Sequence, residues 1–193
     1  MSGKLNLWAF RALVVVAAVL VYYSAMTPWW TAIIRGIFGR SSSLISINAY
    51  GLTHNTTMIS DYVLSYETPP LLIPIARVFI AGSTVVCVLS TFVRGRWGWR
   101  ILAIIGLLYL GYSLGFLPII YEGTGRAPLP GVRFPVQGEV MIFTELEDFK
   151  IVASFQNGYY LAVASALLCV FLALLRRRLH ILESSSPVDA RNN

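Results

Sequence analysis

Residues 101–120 read ILAIIGLLYLGYSLGFLPII. Twenty consecutive positions carry no charge, and no polar stripe recurs at helical spacing. A helix of a water-soluble bundle keeps one polar face. This stretch has none, and at 1.5 Å per residue it is about as long as the hydrocarbon core of a bilayer is thick. It reads as a membrane span. Three further apolar runs match it in length. Leu7 to Met26 is interrupted by Arg11, and Leu71 to Val93 by Pro74 and Arg77. Gly158 to Leu175 is uncharged. The expected spans are therefore 7–26, 71–93, 101–120 and 158–175. The first run also has the basic start and apolar middle of a signal peptide. Ser24-Ala25-Met26 is a poor cleavage site, however, and the run is long enough to span.

Composition agrees. The 193 residues are 56% hydrophobic and only 12% charged, against about 25% charged in soluble domains. An ordinary soluble enzyme, a disordered chain and a nucleic-acid-binding domain are excluded on this ground. Two cysteines are too few for a disulfide framework.

Charge placement gives the expected orientation. Lys4, Arg11, Arg94, Arg96, Arg100, Arg176, Arg177, Arg178 and Arg191 all fall on one side of the four spans. The long loops 27–70 and 121–157 hold Arg35, Arg40, Arg126, Arg133 and Lys150, together with seven of the nine acids. The positive-inside rule places both termini, the 94–100 link and the tail 176–193 in the cytoplasm. The expected location is the cell membrane, multi-pass, with the long loops outside. The basic face suits anionic headgroups, so the lipid bilayer is the expected partner and nucleic acid is not. Trp29 and Trp30 at the end of the first span, and Trp97 and Trp99 in the inner link, are expected as interface anchors.

The loops change period. Ile45, Ile47 and Ala49 alternate with Ser46, Asn48 and Tyr50; Phe149, Ile151, Ala153 and Phe155 alternate with Lys150, Val152 and Ser154. Period two over this length predicts half-buried strands. Glu139–Glu145 reads as a strand, and Met58–Tyr66 less cleanly so. Strand backbones need partners and a lone hairpin is marginal, so the two loops should join in one sheet. The segment 123–138, rich in Gly and Pro, reads as a connector. The expected fold is a mainly α membrane protein: one integral domain over 1–193, a four-transmembrane-helix bundle with a small antiparallel β-sheet formed by two extracytoplasmic loops.

This layout resembles the claudin-like tetraspan architecture. Trp29-Trp30 after the first span and Ala49-Tyr50-Gly51-Leu52 are similar to that family's Trp…Gly-Leu-Trp signature. The family's pair of loop cysteines is absent; Cys87 and Cys169 lie within spans. The resemblance implies a fold, and no junctional role for any residue.

Few residues suggest chemistry. Arg77 sits inside the second span, where an Arg costs about 2.5–3.5 kcal/mol on insertion scales. It is expected to snorkel outward, to meet an outer-loop group such as Glu122, or to contact a partner. A proton or ion path normally needs a second ionisable group, and spans two to four hold none besides Arg77. Arg11 should snorkel inward. His54 and His180 lack neighbours at metal-ligand spacing, and no phosphate loop or nucleophile elbow occurs. Neither enzyme nor cofactor is expected, and Cys87 and Cys169 read as apolar fillers. Gly106, Gly111 and Gly115 in span three, with Ala162 and Ala166 in span four, allow close helix packing or self-association. Asn55-Thr56-Thr57 is an acceptor sequence for N-glycosylation. The expected function is non-catalytic, with the outward β-rich loops mediating protein or cell-surface contact. The alternative is an accessory subunit or small transporter component of a larger membrane complex.

Overall fold

A computed structural model describes residues 2–36, 42–55, 71–93, 96–125, 135–143 and 148–185. It consists of four long helices and one small antiparallel sheet. The helices are α1 (Ser2–Met26), α2 (Leu72–Ser90), α3 (Arg96–Gly125) and α4 (Asn157–Ser185). Each contains a segment long and apolar enough to cross a membrane: Trp8–Met26, Ile73–Ser90, Arg96–Glu122 and Asn157–Arg178. The longest interface joins α3 to α4, and α1 packs on both α4 and α2.

Between α1 and α2 come β1 (Trp30–Gly36), β2 (Ser42–Asn48) and β3 (Gly51–Asn55). Between α3 and α4 come β4 (Gly138–Ile142) and β5 (Phe149–Phe155). They form a single sheet in the order β3-β2-β1-β5-β4. Both loops thus contribute to one sheet, as their patterns predict. The two loops meet through β1 and β5, and β1 is a strand that the alternation does not reveal. The central strand is β1, pairing Ala32 with Ile45 on one side and with Ala153 on the other. The strand expected over Glu139–Glu145 is described as Gly138–Ile142. Met58–Tyr66 lies outside the described residues.

The start of the sheet follows from local chemistry. The Thr27 hydroxyl donates to the carbonyls of Tyr23 and Ser24 at the end of α1, and Pro28 cannot continue the helix. The chain then extends. Trp29 N–H donates to Ile47 O at 2.8 Å, and Gln156 N–H to Trp29 O at 2.9 Å. Between β2 and β3, Tyr50 N–H donates to Asn48 Oδ1 at 2.8 Å, an Asx-type turn. Gly51 follows at φ 137, a backbone that side-chain-bearing residues rarely adopt. At the start of α4, a Cβ on Gly158 would lie 2.5 Å from Pro28 O, so only glycine lets α4 begin this close to the end of α1.

Alternation decides which face of the sheet is covered. Trp30, Ala32, Ile34, Ile45, Ile151 and Ala153 are buried toward the bundle, in one core with Val21, Tyr109, Phe116, Ile120 and Ala162. A second core at the opposite end contains Phe10, Val14, Cys87, Leu102, Cys169 and Leu172.

Candidate functional site

Trp29 and Trp30 are the first departure from expectation. Neither is an interface anchor: Trp29 is 0% exposed and Trp30 3%. The bends at Thr27 and Trp29, either side of Pro28, bring both indoles into the core beneath the sheet. Trp29 Nε1 donates to Ser24 O at 2.8 Å. Its ring is edge-on to Phe116 (5.1 Å), Tyr112 (5.7 Å), Tyr159 (6.1 Å) and Tyr109 (6.5 Å). Each such aromatic pair contributes about 0.5–1.5 kcal/mol beyond its burial. Trp30 Nε1 reaches Val136 O, just before β4, at 2.8 Å.

Tyr109 OH lies 2.7 Å from Ser24 Oγ and donates to Val21 O at 3.2 Å. Tyr112 OH donates to Ala49 O in the β2–β3 turn. Neither α3 tyrosine stands out in the sequence, because each looks like one more apolar position of a span. Together they tie α3 to α1 and to the sheet.

Arg77 lies in the second turn of α2, at the sheet end, with its side chain exposed. Its guanidinium is 5.7 Å from the Tyr50 ring centroid, a cation–π contact. Burial is the main cause that pushes the Tyr50 phenol above its usual range. Tyr22 adds to it and Arg77 opposes it. The expected alternative of Glu122 as partner is not what the side chain adopts.

The outer face of the sheet shows three rows. Ser46, Thr31 and Ser154 stand abreast, as do Leu44, Ile33 and Val152, and then Ser42, Arg35, Lys150 and Met141. Gln156 Nε2 donates to Thr31 Oγ1 and Ser154 Oγ, each at 2.7 Å. Lys150 Nζ is 2.6 Å from Glu139 Oε2 across β4 and β5. Asn55 ends β3 opposite Leu44, while Thr56 and Thr57 lie outside the described residues.

The small residues of the spans divide. A Cβ on Gly106 would meet Val170 Cγ2 at 2.9 Å and Ala166 O at 3.1 Å. Ala162 and Ala166 are fully buried. Gly106 thus lies against Ala166 and Val170 of α4, and Ala162 is buried in one core with Tyr109 of α3. Gly111 and Gly115 do not: nothing lies within 4 Å of a Cβ on either. At 100° per residue they fall about 140° and 180° around the helix from Gly106, so they face away from α4.

At the far end, Trp97 is 65% exposed, and Trp99 lies between the guanidinium groups of Arg100 and Arg177. Arg176 donates to Ser90 O and Val93 O, each at 2.6 Å. It thereby caps the free carbonyls at the end of α2, where a cation is favoured. Cys87 and Cys169 are buried with their sulfurs 4.0 Å apart. Among the described residues no group of three or more His, Cys, Asp or Glu side chains could hold a metal.

No protein-family model matches the chain, and no curated protein matches it either.

Proposed function

We propose that the chain is a non-catalytic multi-pass protein of the cell membrane, with both termini cytoplasmic and its sheet outside, where it contacts another protein or a neighbouring copy. The observation that carries this reading is the two-sided sheet. Its inner face is fastened to the bundle through Trp29 and Trp30, and its outer face presents hydroxyl, apolar and basic rows in register. A platform anchored on one side and patterned on the other suits recognition. The described side chains supply no nucleophile–base pair or metal cluster for catalysis. The claudin-like resemblance is extended to architecture alone.

The experiment combines orientation with contact. Cysteines at Ser2 and Ser185 should be shielded from an impermeant thiol reagent on intact cells, and one at Ser42 labelled. A photoreactive side chain at Ile33, on the outer face, should yield a discrete protein adduct. One at Ile119, on the open flank of α3, should yield lipid adducts. Labelling of both termini from outside overturns the orientation; an Ile33 probe without a protein adduct overturns the contact role.

A second reading, an accessory subunit or transporter component of a larger membrane complex, is favoured by the open Gly111–Gly115 face. Native-size measurement in mild detergent separates the two, because an obligate subunit leaves the membrane with a fixed partner.

A further inference from the structure

Four helices converge on two guanidinium groups at the end remote from the sheet. Arg11, on α1, lies 5.5 Å from the Trp8 ring and 5.3 Å from the Phe92 ring that follows α2. Arg176, on α4, lies 5.6 Å from the Phe10 ring, and its guanidinium fills the space where Gly98 of α3 lacks a side chain. The two cations share one neighbourhood: Arg176 donates to Val93 O, next to the Phe92 ring that Arg11 meets, and it lies against Phe10, the residue before Arg11. The hydrogen-bonding capacity of Arg176 is partly met by the carbonyls of α2. That of Arg11 is not: its Nε is buried without a hydrogen-bond partner.

Two adjacent cations in a poorly solvated place repel each other, and a buried donor without an acceptor is costly. Both costs fall when an anion with several acceptor oxygens lies between or over the pair. The one ion pair among the described residues, Lys150–Glu139, is at the sheet end, so it supplies no carboxylate here. Aromatic rings stack the guanidinium planes and hold them in place, which favours the forked hydrogen bonding that Arg makes to phosphate.

We propose that Arg11 and Arg176 form a site for the phosphate of one anionic phospholipid of the inner leaflet. This rests on the membrane reading and adds a specific ligand to it. A phosphodiester with no compensating headgroup cation supplies the missing charge and the acceptor for Arg11 Nε. Its acyl chains lie along α1, where the exposed apolar residues Val15 and Val19, about one and two turns from Arg11 on the same side of the helix, continue from the site toward the middle of the spans. Trp8, exposed beside Arg11, is an aromatic of the type that lies at headgroup level.

The test uses the full chain in mild non-ionic detergent, exchanged against phosphatidylglycerol or phosphatidylcholine, with bound lipid counted by native mass spectrometry. The expected result is one phosphatidylglycerol retained per chain and about fivefold less phosphatidylcholine, because the choline cation of the latter offsets the attraction of two guanidinium groups for its phosphate. Arg11→Gln should lower retention about fivefold with a small change in the thermal midpoint, since the contacts of Arg11 among the described residues are with the Trp8 and Phe92 rings, and cation–π contacts at exposed sites are weak. Arg96→Gln, at an exposed cation on the same end, should leave retention unchanged. Equal loss in Arg96→Gln shows attraction by overall charge and overturns the site, as does full retention in Arg11→Gln. Displacement by excess inorganic phosphate assigns the pair to a free anion and overturns the lipid. Recovery of the wild-type chain in the membrane fraction is scored separately. A chain found soluble fails the membrane reading, whereas an embedded chain that retains no phosphatidylglycerol fails this inference alone.

Discussion

The two ends of the bundle are built on opposite principles. At the sheet end, cohesion comes mainly from neutral groups: strand ladders, the Trp29 aromatic cluster, and tyrosine hydroxyls reaching backbone carbonyls on other elements, with Arg77 on Tyr50 and the exposed Lys150–Glu139 pair at its margin. At the remote end, guanidinium groups supply the cross-ties, stacking on Trp99, Phe10 and Phe92 or capping α2. The first kind of joint is short-ranged and indifferent to salt. The second depends on what anions surround it. The comparison teaches that one end satisfies its polar groups within the chain, while the other leaves cationic groups open to anions around it.

The comparison breaks most severely if the aromatic hub is removed. Trp29→Ala should cost about 3–5 kcal/mol, the usual range for truncating a buried Trp, and should separate the sheet from the bundle. Limited proteolysis of membranes should then cut within residues 123–138, with the 94–95 link of the other end unchanged. Equal protection of the 123–138 segment in the variant and the parent would show that Trp29 is not the fastening.

Within the spans, Gly106 and Gly111 should respond with opposite signs. Gly106→Ala forces a methyl against Ala166 O and Val170, and overpacking of this kind costs about 1–3 kcal/mol. Gly111→Ala meets open space and should be neutral or gain up to about 1 kcal/mol from helix propensity. Unfolding midpoints in mixed detergent micelles read both. A loss at Gly111 as large as at Gly106 would mean that another molecule occupies its face. The smallest effect belongs to the exposed ion pair. Lys150→Gln should change stability by less than about 0.5 kcal/mol, and a larger loss in the same assay would show that the outer face is packed against something.

The spans were legible because twenty apolar residues in a row leave few alternatives, and β2 and β5 because their alternation is clean. β1 was hidden by its composition. Ile33 occupies an outward position, so WTAIIRG loses its period and looks like the tail of a span. Trp29-Trp30 fits an aromatic belt equally well by sequence, and the bends around Pro28 that send both indoles inward are tertiary information. β3, GLTHN, is short and polar and pairs with β2. The division of the span-three glycines is invisible in a motif, since G-x-x-x-G says that a face is smooth and not which neighbour it meets. Arg176 looked like one of three basic residues marking a membrane edge. Its capping role depends on where α2 ends, and that is tertiary information.

The connections on either side of the central strands carry a mechanical consequence. α1 ends at Met26 and β1 begins at Trp30; β5 ends at Phe155 and α4 begins at Asn157. Since β1 and β5 are paired neighbours, the sheet is a crossbar welded to two adjacent posts. Force applied to the platform enters the bundle through α1 and α4 together, as a change in the angle between them. The Pro28–Gly158 contact, which leaves no room for a side chain, is the fulcrum. The same two helices carry Arg11 and Arg176 at their other ends.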